Sequence, residues 1–267
     1  MELVTPGQTI NAEAGFLRGH GTYVRNGVLI ASVAGVVQRV NKLISVTPLK
    51  CRFGGQVGDV IVGRVTEVGQ KRWHLDVAAS QAAILMLSSV NLPGGEQRRR
   101  TYEDQLNMRS LYAEGDLISA EIHQFFQDGA MSVHTRSRKY GKLLGGCVVE
   151  VPSYLVRRMK HHFHALGDIG LHLILASNGF IWLSPRPPPE ADIGDEEEEA
   201  AAAAQAQEVI EMTADEYTAM ARARAAILAL AQEFLEVYPA AIMDVYERSM
   251  QVLLYCCFTA ALLLLCY

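Results

Sequence analysis

Cysteine is scarce in this 267-residue chain. Its five cysteines are an odd number, and none stands in a CxxC pair or at a His/Cys spacing typical of zinc. A disulfide framework is therefore excluded, and we expect reduced thiols in an intracellular protein without a metal or other cofactor. Tryptophan is also rare, at two residues.

The common enzyme signatures are missing as well. The chain has no Walker loop, no dinucleotide-binding glycine fingerprint, no HExxH motif and no nucleophile elbow. A metal-dependent nuclease needs several carboxylates converging on divalent ions, and the triplet Asp195–Glu197 lies in an acidic run typical of a solvated linker. These absences disfavour a free-standing exoribonuclease, which we keep as the less favoured alternative.

No membrane-spanning segment is expected. The N-terminus has no basic stretch followed by an apolar run, as a signal peptide would. The run from Val252 to Tyr267 is apolar apart from Thr259, but its 16 residues fall short of the roughly 20 that cross a bilayer. We expect a helix end covered by protein, while a tail anchor and an aberrant terminus stay open as alternatives.

Acidic and basic residues are divided unevenly along the chain. The formal net charge is −5, but residues 1–186 carry 21 basic and 14 acidic side chains, whereas residues 187–267 carry 3 and 15. All eight histidines also lie in the first part. A basic front part joined to an acidic back part predicts a polyanion partner for the front.

Short strands dominate the first half of the chain. Asn26-Gly27 between two strand-like runs predicts a hairpin within a small N-terminal β domain at residues 1–50. Five short strands at residues 55–138 predict the small barrel of the OB-fold. Those strands are expected at Val60–Val68, Trp73–Val77, Ile84–Leu87, Leu117–Ile122 and Met131–Val133, with helical turns at Thr101–Leu111.

The last part of the chain, residues 143–267, has an α+β pattern. Ser153 is expected to cap a helix on which Val156, Met159 and Phe163 share one face. Strands are expected around that helix at Cys147–Val151, Leu171–Leu175 and Phe180–Leu183.

An acidic, alanine-rich loop at about 187–206 interrupts this last domain. Thr213 and Glu216 then form a capping box that opens a long helix. Its inward-facing residues are expected to be Met220, Ile227, Leu230 and Phe234. A second helix is expected from Ala241 into the apolar tail.

Four clusters of basic residues lie on or beside the predicted barrel. They are Lys71 and Arg72 between its first two strands; Arg98, Arg99 and Arg100 after Pro93-Gly94-Gly95; Arg136, Arg138, Lys139 and Lys142 after its fifth strand; and Arg157, Arg158 and Lys160 on the predicted helix. One such cluster is typical of a solvated face, but together, in a chain of acidic pI, they favour nucleic acid. The first three clusters, apart from Lys142, are the candidate RNA-binding residues.

Aromatic side chains beside these clusters are ambiguous. Trp73 can face either the core or a base, so we expect tracking of the phosphate backbone rather than reading of bases. His161, His162 and His164 lie on the predicted basic helix, and zinc would need about four ligands with thiolates or carboxylates nearby. We interpret them as a surface helix face that attracts polyanions.

Several segments resemble the ribosomal RNA-processing protein 4 family, cap subunits of the eukaryotic RNA exosome. They are Gly15–Tyr23, Ile30–Gly35, Arg39–Leu43, Gly58–Val68, Lys71–Trp73, Leu87–Arg100, Thr135–Leu143 and Asn178–Trp182. The Leu92–Gly95 segment with its three following arginines is specific. The resemblance implies a mainly β protein with α+β character: an N-terminal β domain, an S1 domain of OB type and a KH domain.

The resemblance also implies a function. Cap subunits of this family sit on a six-membered ring of RNase PH-like subunits, stabilise it, and guide single-stranded RNA to a partner nuclease for 3′-to-5′ degradation and processing. The implied chain is thus a non-catalytic subunit whose partners are the ring subunits, the other cap subunits and single-stranded RNA, with no membrane. The implied locations are the nucleus, the nucleolus and the cytoplasm.

Two features depart from the family pattern: the Glu/Ala-rich insertion with the hydrophobic terminus past Leu253, and one position of the KH motif. Exosome caps carry a Gly-x-Asn-Gly motif in the KH domain, and here Ala176 stands at its first position. We therefore interpret Asn178 and Gly179 as a structural turn of the KH domain. The alternative function is a free-standing S1/KH RNA-binding module, which would have no need of the N-terminal β domain.

Overall fold

The computed structural model describes residues 2–11, 15–91, 101–137, 139–167, 169–187 and 212–251. The chain divides into two compact units, Met1–Arg52 and Phe53–Tyr267. Several sequence-predicted features lie outside the described residues: Arg98, Arg99, Arg100, Arg138, residues 188–206 of the acidic loop, and the apolar run from Val252 onward.

The first unit consists of six short strands. They are β1 (Leu3–Val4), β2 (Leu17–Arg18), β3 (Thr22–Arg25), β4 (Val28–Ala31), β5 (Gly35–Val40) and β6 (Leu43–Pro48). Four of them form a sheet in the order β1-β5-β6-β2, and β3 pairs with β4. The hairpin predicted at Asn26-Gly27 is confirmed, with positive φ angles of 54° and 79° as a type I′ turn requires.

The second unit begins with a closed five-stranded barrel. Its strands are β7 (Val60–Val68), β8 (Arg72–Asp76), β9 (Ala83–Val90), β10 (Leu117–Phe125) and β11 (Met131–Thr135). They follow the order β11-β9-β8-β7-β10, and β11 also pairs with β10, which closes the barrel. The predicted OB-type barrel is therefore confirmed. A short strand β12 (Gly141–Leu143) extends the sheet beyond β10.

Trp73 is at the centre of the barrel core. Its side chain is completely buried, its indole N–H donates to the carbonyl oxygen of Tyr112 at 3.0 Å, and its ring meets the Tyr112 ring edge-on at 5.4 Å. Two short helices between β9 and β10, α1 (Tyr102–Leu106) and α2 (Met108–Leu111), contribute Met108 to the same core. The structure thus places Trp73 in the core rather than on an RNA-binding face.

The C-terminal part of the second unit is a sheet covered by helices. The strands β13 (Cys147–Glu150), β14 (Phe163–Leu166), β15 (Leu171–Leu175) and β16 (Phe180–Ser184) form the antiparallel order β13-β16-β15-β14, which we call the C-terminal sheet. The helix α3 (Ala214–Gln232) and a helix α4 at 239–251 follow. The described helices include none that is long and apolar enough to cross a membrane.

The helix α3 starts and packs as predicted. The Thr213 hydroxyl accepts from the backbone N–H of Glu216, while the Glu216 carboxylate accepts from the N–H of Thr213 at 2.7 Å. Its residues Met220, Ile227 and Leu230 are buried in one core with strands of the C-terminal sheet. That core stabilises the sheet through residues that lie after the acidic loop in sequence.

The helix predicted after Ser153 is wrong. Only Ser153–Leu155 form a short 3₁₀ turn, and Phe163 already belongs to β14. The chain between them is held extended because Arg157 N–H donates to the carbonyl of Val237 at 3.3 Å. Arg157, Arg158, Lys160 and the three neighbouring histidines therefore lie on no helix.

The inward position predicted for Phe234 is also wrong. The helix ends at Gln232, Phe234 has a φ of 55°, and its side chain is 72% exposed. The Leu235 N–H donates to the carbonyl of Leu230 and that of Phe234 to Ala231, which is the hydrogen-bond pattern of a Schellman motif. The reversed backbone turns Phe234 away from the core.

Replacing Trp73 with alanine should destabilise the barrel by about 3–5 kcal/mol, because the change empties the centre of the core and removes the bond to Tyr112. Urea unfolding of the purified chain measures this loss. Met86→Ala, on the neighbouring strand and 37% exposed, is the control and should change stability by less than about 0.5 kcal/mol. Equal effects of the two changes would contradict this account of the core.

Candidate nucleic-acid interface

One end of the barrel gathers the loops that carry the basic clusters. The strands β9 and β11 are parallel, with Val90 beside Thr135, so both chains leave the barrel at the same end. Just beyond these residues, the side-chain amide of Asn91 donates to the backbone carbonyl of Arg136. The root of the loop that contains Arg98–Arg100 therefore lies beside Arg136.

The Lys71 turn lies at this same end. Gly69 N–H donates to the carbonyl of Arg72 at 2.8 Å, and the carbonyl of Lys71 accepts from Leu87 N–H at 3.0 Å. Both Lys71 and Arg72 are exposed. Contrary to the sequence prediction, Arg72 is not in the loop but is the first residue of β8, paired with Met86, so strand pairing fixes where its side chain starts.

The structure separates Lys139 from these residues. Its ammonium lies 4.9 Å from the centre of the Tyr140 ring, and the Tyr140 hydroxyl donates to Glu121 at 2.8 Å. Lys139 lines a groove between the barrel and the segment before β14. Lys71, Arg72 and Arg136 do not line this groove. Lys142 differs again, because Asp116 pairs with it at 2.7 Å. We call Lys71, Arg72 and Arg136, with the root of the arginine loop, the basic end of the barrel.

Asn178 connects the C-terminal sheet to the barrel. Its side chain is 1% exposed; its amide group donates to the carbonyls of Val62 at 2.7 Å and Val77 at 3.1 Å, and its oxygen accepts from Val62 N–H at 3.4 Å. The backbone N–H of Ser177 donates to Val60 at 2.9 Å. This turn is therefore buried against β7 and the end of β8.

Gly179 completes this turn at a position that excludes side chains. Its φ is +92°, and a Cβ atom there would lie 2.1 Å from the carbonyl oxygen of Val151. Val151 N–H in turn donates to the carbonyl of Gly179 at 2.9 Å. An RNA-gripping KH loop must be open to the nucleic-acid backbone, and Asn178-Gly179 is instead packed against protein on two sides.

Histidine and tyrosine rings line the outer face of β10 and β11. The ring centres of His123 and His134 lie 5.6 Å apart, and those of His134 and Tyr140 lie 6.5 Å apart. The Nδ1 atom of His134 is buried without a hydrogen-bond partner. Burial lowers the pKa of His134, and burial also lowers that of His164, whose Nε2 donates to the carbonyl of His161 at 3.0 Å.

No metal centre forms in the described part of the chain, where no three histidine, cysteine or acidic side chains come close enough to hold an ion. The carboxylate of Asp59 contacts Arg158, that of Glu114 contacts Arg109, and that of Glu121 contacts Tyr140. These carboxylates each accept from a protein donor rather than converging on one point.

Comparison with known proteins agrees with this arrangement. Residues 3–40 match the family model described as "Exosome complex exonuclease RRP4 N-terminal region", residues 52–124 match "RRP4, S1 domain", and residues 146–189 match "KH domain". The Bos taurus protein named "Exosome complex component RRP4" is 49% identical over 248 residues, which cover 93% of this chain and 82% of that protein. The chain belongs to the RRP4 family.

Other relatives match over about two thirds of the chain. The Mus musculus RRP4 protein is 58% identical over 69% of this chain and 63% of its own length, and the Saccharomyces cerevisiae protein is 50% identical over 68% and 50%. These lengths correspond to about 185 and 182 aligned residues. The barrel is thus the S1 domain of an RRP4 protein and the C-terminal sheet belongs to its KH domain, as the resemblance implied. S1 and KH domains bind RNA, and the family's members are named as components of a complex, in accord with a non-catalytic subunit.

Sequence reasoning missed two features of the second unit. The first is the contact of Asn178 with Val62, because an Asn-Gly pair signals a turn but not what the turn packs against. The second is the groove beside Lys139, whose other wall is Lys160–Phe163. The prediction of a helix over this segment missed the groove, because an extended segment places these side chains differently from a helix.

Asn178→Ala should destabilise the second unit by about 2–4 kcal/mol, because the buried carbonyls of Val62 and Val77 lose their donor. Urea unfolding measures the change. Ser177→Ala is the matched control, since it keeps the backbone bond to Val60, and it should cost less than about 0.5 kcal/mol. A neutral Asn178→Ala variant would show that the side-chain bonds are dispensable.

The two partly buried histidines should make stability depend on pH. Because the pKa values of His134 and His164 are lower in the folded state, the unfolded chain binds more protons below about pH 6.5, so stability falls as the pH drops through that region. The difference in Tm between pH 7.5 and pH 5.5 should shrink in a His134→Gln, His164→Gln variant. The exposed-site control His20→Gln should keep it. Equal pH dependence in all three proteins would contradict the effect of burial.

Proposed function

We propose that this chain is a non-catalytic, RNA-binding subunit of an exosome, and that it guides single-stranded RNA toward a partner nuclease that degrades or processes it from the 3′ end. The basic end of the barrel, in a chain of the RRP4 family, is the observation that carries this proposal. The exosome is the complex named for the relatives.

The proposal divides the chain into three domains. They are a ring-binding β domain at 1–50, an RNA-binding S1 domain at 55–138, and a KH domain at 143–267 interrupted by the acidic loop. Three clusters of buried residues, each lying mainly in one of these ranges, support the division. A fourth cluster joins Val62 of the barrel to Leu143, Ile174, Ala176, Phe180 and Trp182. We propose nuclear, nucleolar and cytoplasmic pools, as the resemblance implies.

The outer face of the N-terminal sheet supports docking on ring subunits. Leu17 lies beside Leu43, and Leu43 beside Val40, so the three side chains project from the same face. They are 66%, 41% and 61% exposed, respectively. A row of neighbouring exposed apolar side chains is typical of an interface with another protein. We propose that RNase PH-like ring subunits cover this row.

The barrel contacts RNA through phosphates in this proposal. Lys71, Arg72 and Arg136 are exposed, and none of them is in an ion pair with another described residue. Trp73 is buried, which leaves the phosphate backbone as the group that this surface can recognise without regard to sequence. Recognition that ignores sequence suits a subunit that passes many RNAs to a nuclease.

Changing Arg98, Arg99 and Arg100 to alanine together should weaken binding of single-stranded RNA and reduce the slope of log K against log salt by about 2, because three phosphate contacts are lost. Fluorescence anisotropy with a labelled oligouridine at several salt concentrations measures both. The control Arg25→Ala, Lys42→Ala, Lys50→Ala removes equal charge from the first unit and should leave the slope unchanged. Unchanged affinity and slope in the arginine variant would reject this loop as an RNA contact.

Leu17→Glu combined with Leu43→Glu should prevent the chain from joining a reconstituted ring, because two charges then face the apolar contact. Size-exclusion chromatography with purified ring subunits measures co-elution. Phe234→Glu with Leu235→Glu alters an exposed apolar pair elsewhere and should leave assembly intact. Normal assembly of the Leu17, Leu43 variant would place the ring contact on another surface.

A further inference from the structure

A groove separates the barrel from the segment that precedes β14. Its volume is about 570 Å³, and its walls include Asp59, Glu121, Lys139 and Tyr140 on the barrel side and Lys160–Phe163 on the other. Arg158 joins the two walls, because its guanidinium donates to Asp59 at 2.9 Å and to Gln56 at 2.7 Å. The hydrogen bonds of Arg158 thus fix the two walls of the groove relative to each other.

The acidic side chains of the groove are already engaged. Asp59 accepts from Arg158 and also from the backbone N–H of Gln56 at 2.7 Å. Glu121 accepts from the Tyr140 hydroxyl at 2.8 Å. Both carboxylates therefore have protein donors, and they are less available to bind a cationic ligand.

The ammonium groups of the groove, unlike its carboxylates, have no partner of opposite charge in the described ranges. Lys139 lies over the Tyr140 ring, and within the described ranges neither it nor Lys160 is in an ion pair with a carboxylate. His161 and His162 stand beside Lys160, and the Nδ1–H of His162 donates to the carbonyl of Leu175 at 2.8 Å. Unpaired cations beside ring nitrogens favour an anionic ligand.

The aromatic rings of the groove pack against each other. The Tyr140 and Phe163 rings, one from each wall, lie 6.0 Å apart at an angle of 45°. Tyr140 is only 5% exposed and Lys139 lies over its ring, so the ring supports the ammonium rather than stacking on a base. The groove is large enough for a nucleotide whose phosphate contacts the ammonium groups.

We propose that this groove is a second RNA-binding site, separate from the basic end of the barrel, in which Lys139 and Lys160 hold phosphates of single-stranded RNA between the S1 and KH domains. This inference rests on the proposed function as an RNA-binding subunit. Lys139 follows Arg136 by three residues, so one strand of RNA that leaves the basic end can continue toward the groove. The KH domain would then contact RNA through the segment before β14 and not through its buried Asn178-Gly179 turn.

The test is the affinity of the full-length chain for a labelled oligouridine, compared with that of a Lys139→Ala, Lys160→Ala variant. We expect the variant to bind about tenfold more weakly, with a salt slope about 1.4 lower, because two phosphate contacts are lost. Lys42→Ala with Lys50→Ala removes the same charge from exposed sites in the first unit and should match the wild type. The Tm of each variant shows whether it is folded.

A second measurement needs no variant. Oligouridine containing 4-thiouridine, irradiated with the wild-type chain, should form cross-links within residues 159–163, identified by mass spectrometry. Cross-links confined to the barrel turns, together with an unchanged affinity of the lysine variant, would overturn the groove while leaving the proposed function intact. No RNA binding by the wild type would overturn the proposed function itself. Tighter lysine-dependent binding of polyglutamate than of oligouridine would assign the groove to an acidic segment and overturn the proposal.

Discussion

The buried amide of Asn178 constrains the whole second half of this protein. It bonds to Val62 and Val77 in the barrel while belonging to a turn between β15 and β16, so the barrel and the C-terminal sheet meet in one fixed arrangement. Gly179 allows that turn because no side chain fits beside Val151. A turn that could have been an open RNA-gripping loop is thereby used to join two domains.

This constraint decides which surfaces remain for RNA. With the KH turn buried, the surfaces that we propose for RNA are the basic end of the barrel and the groove beside Lys139. Both are built on paired strands or on segments tied by backbone hydrogen bonds, so their positions do not depend on RNA being present. A surface of phosphate contacts that is already in place suits the guidance of RNA that we propose.

Much of the barrel could be predicted from the sequence because alternating strands leave a local signal. Trp73, Leu75 and Val77 are buried with His74 and Asp76 between them, and this pattern is visible without any tertiary information. The segment after Ser153 misled because its apolar spacing matches a helix, while its actual shape is set by bonds to Val237, about 80 residues later.

The same contrast between local signals and tertiary contacts applies to the candidate site residues. Basic residues in turns were found directly from composition, but their grouping was not, because it depends on the parallel pairing of β9 with β11 and on which end of the barrel each loop leaves.

The most direct test of membership in an exosome is the composition of what co-purifies with the tagged full-length chain from its own cells after a high-salt wash. Mass spectrometry should find RNase PH-like proteins in amounts equal to the chain; recovery of the chain alone would contradict the account.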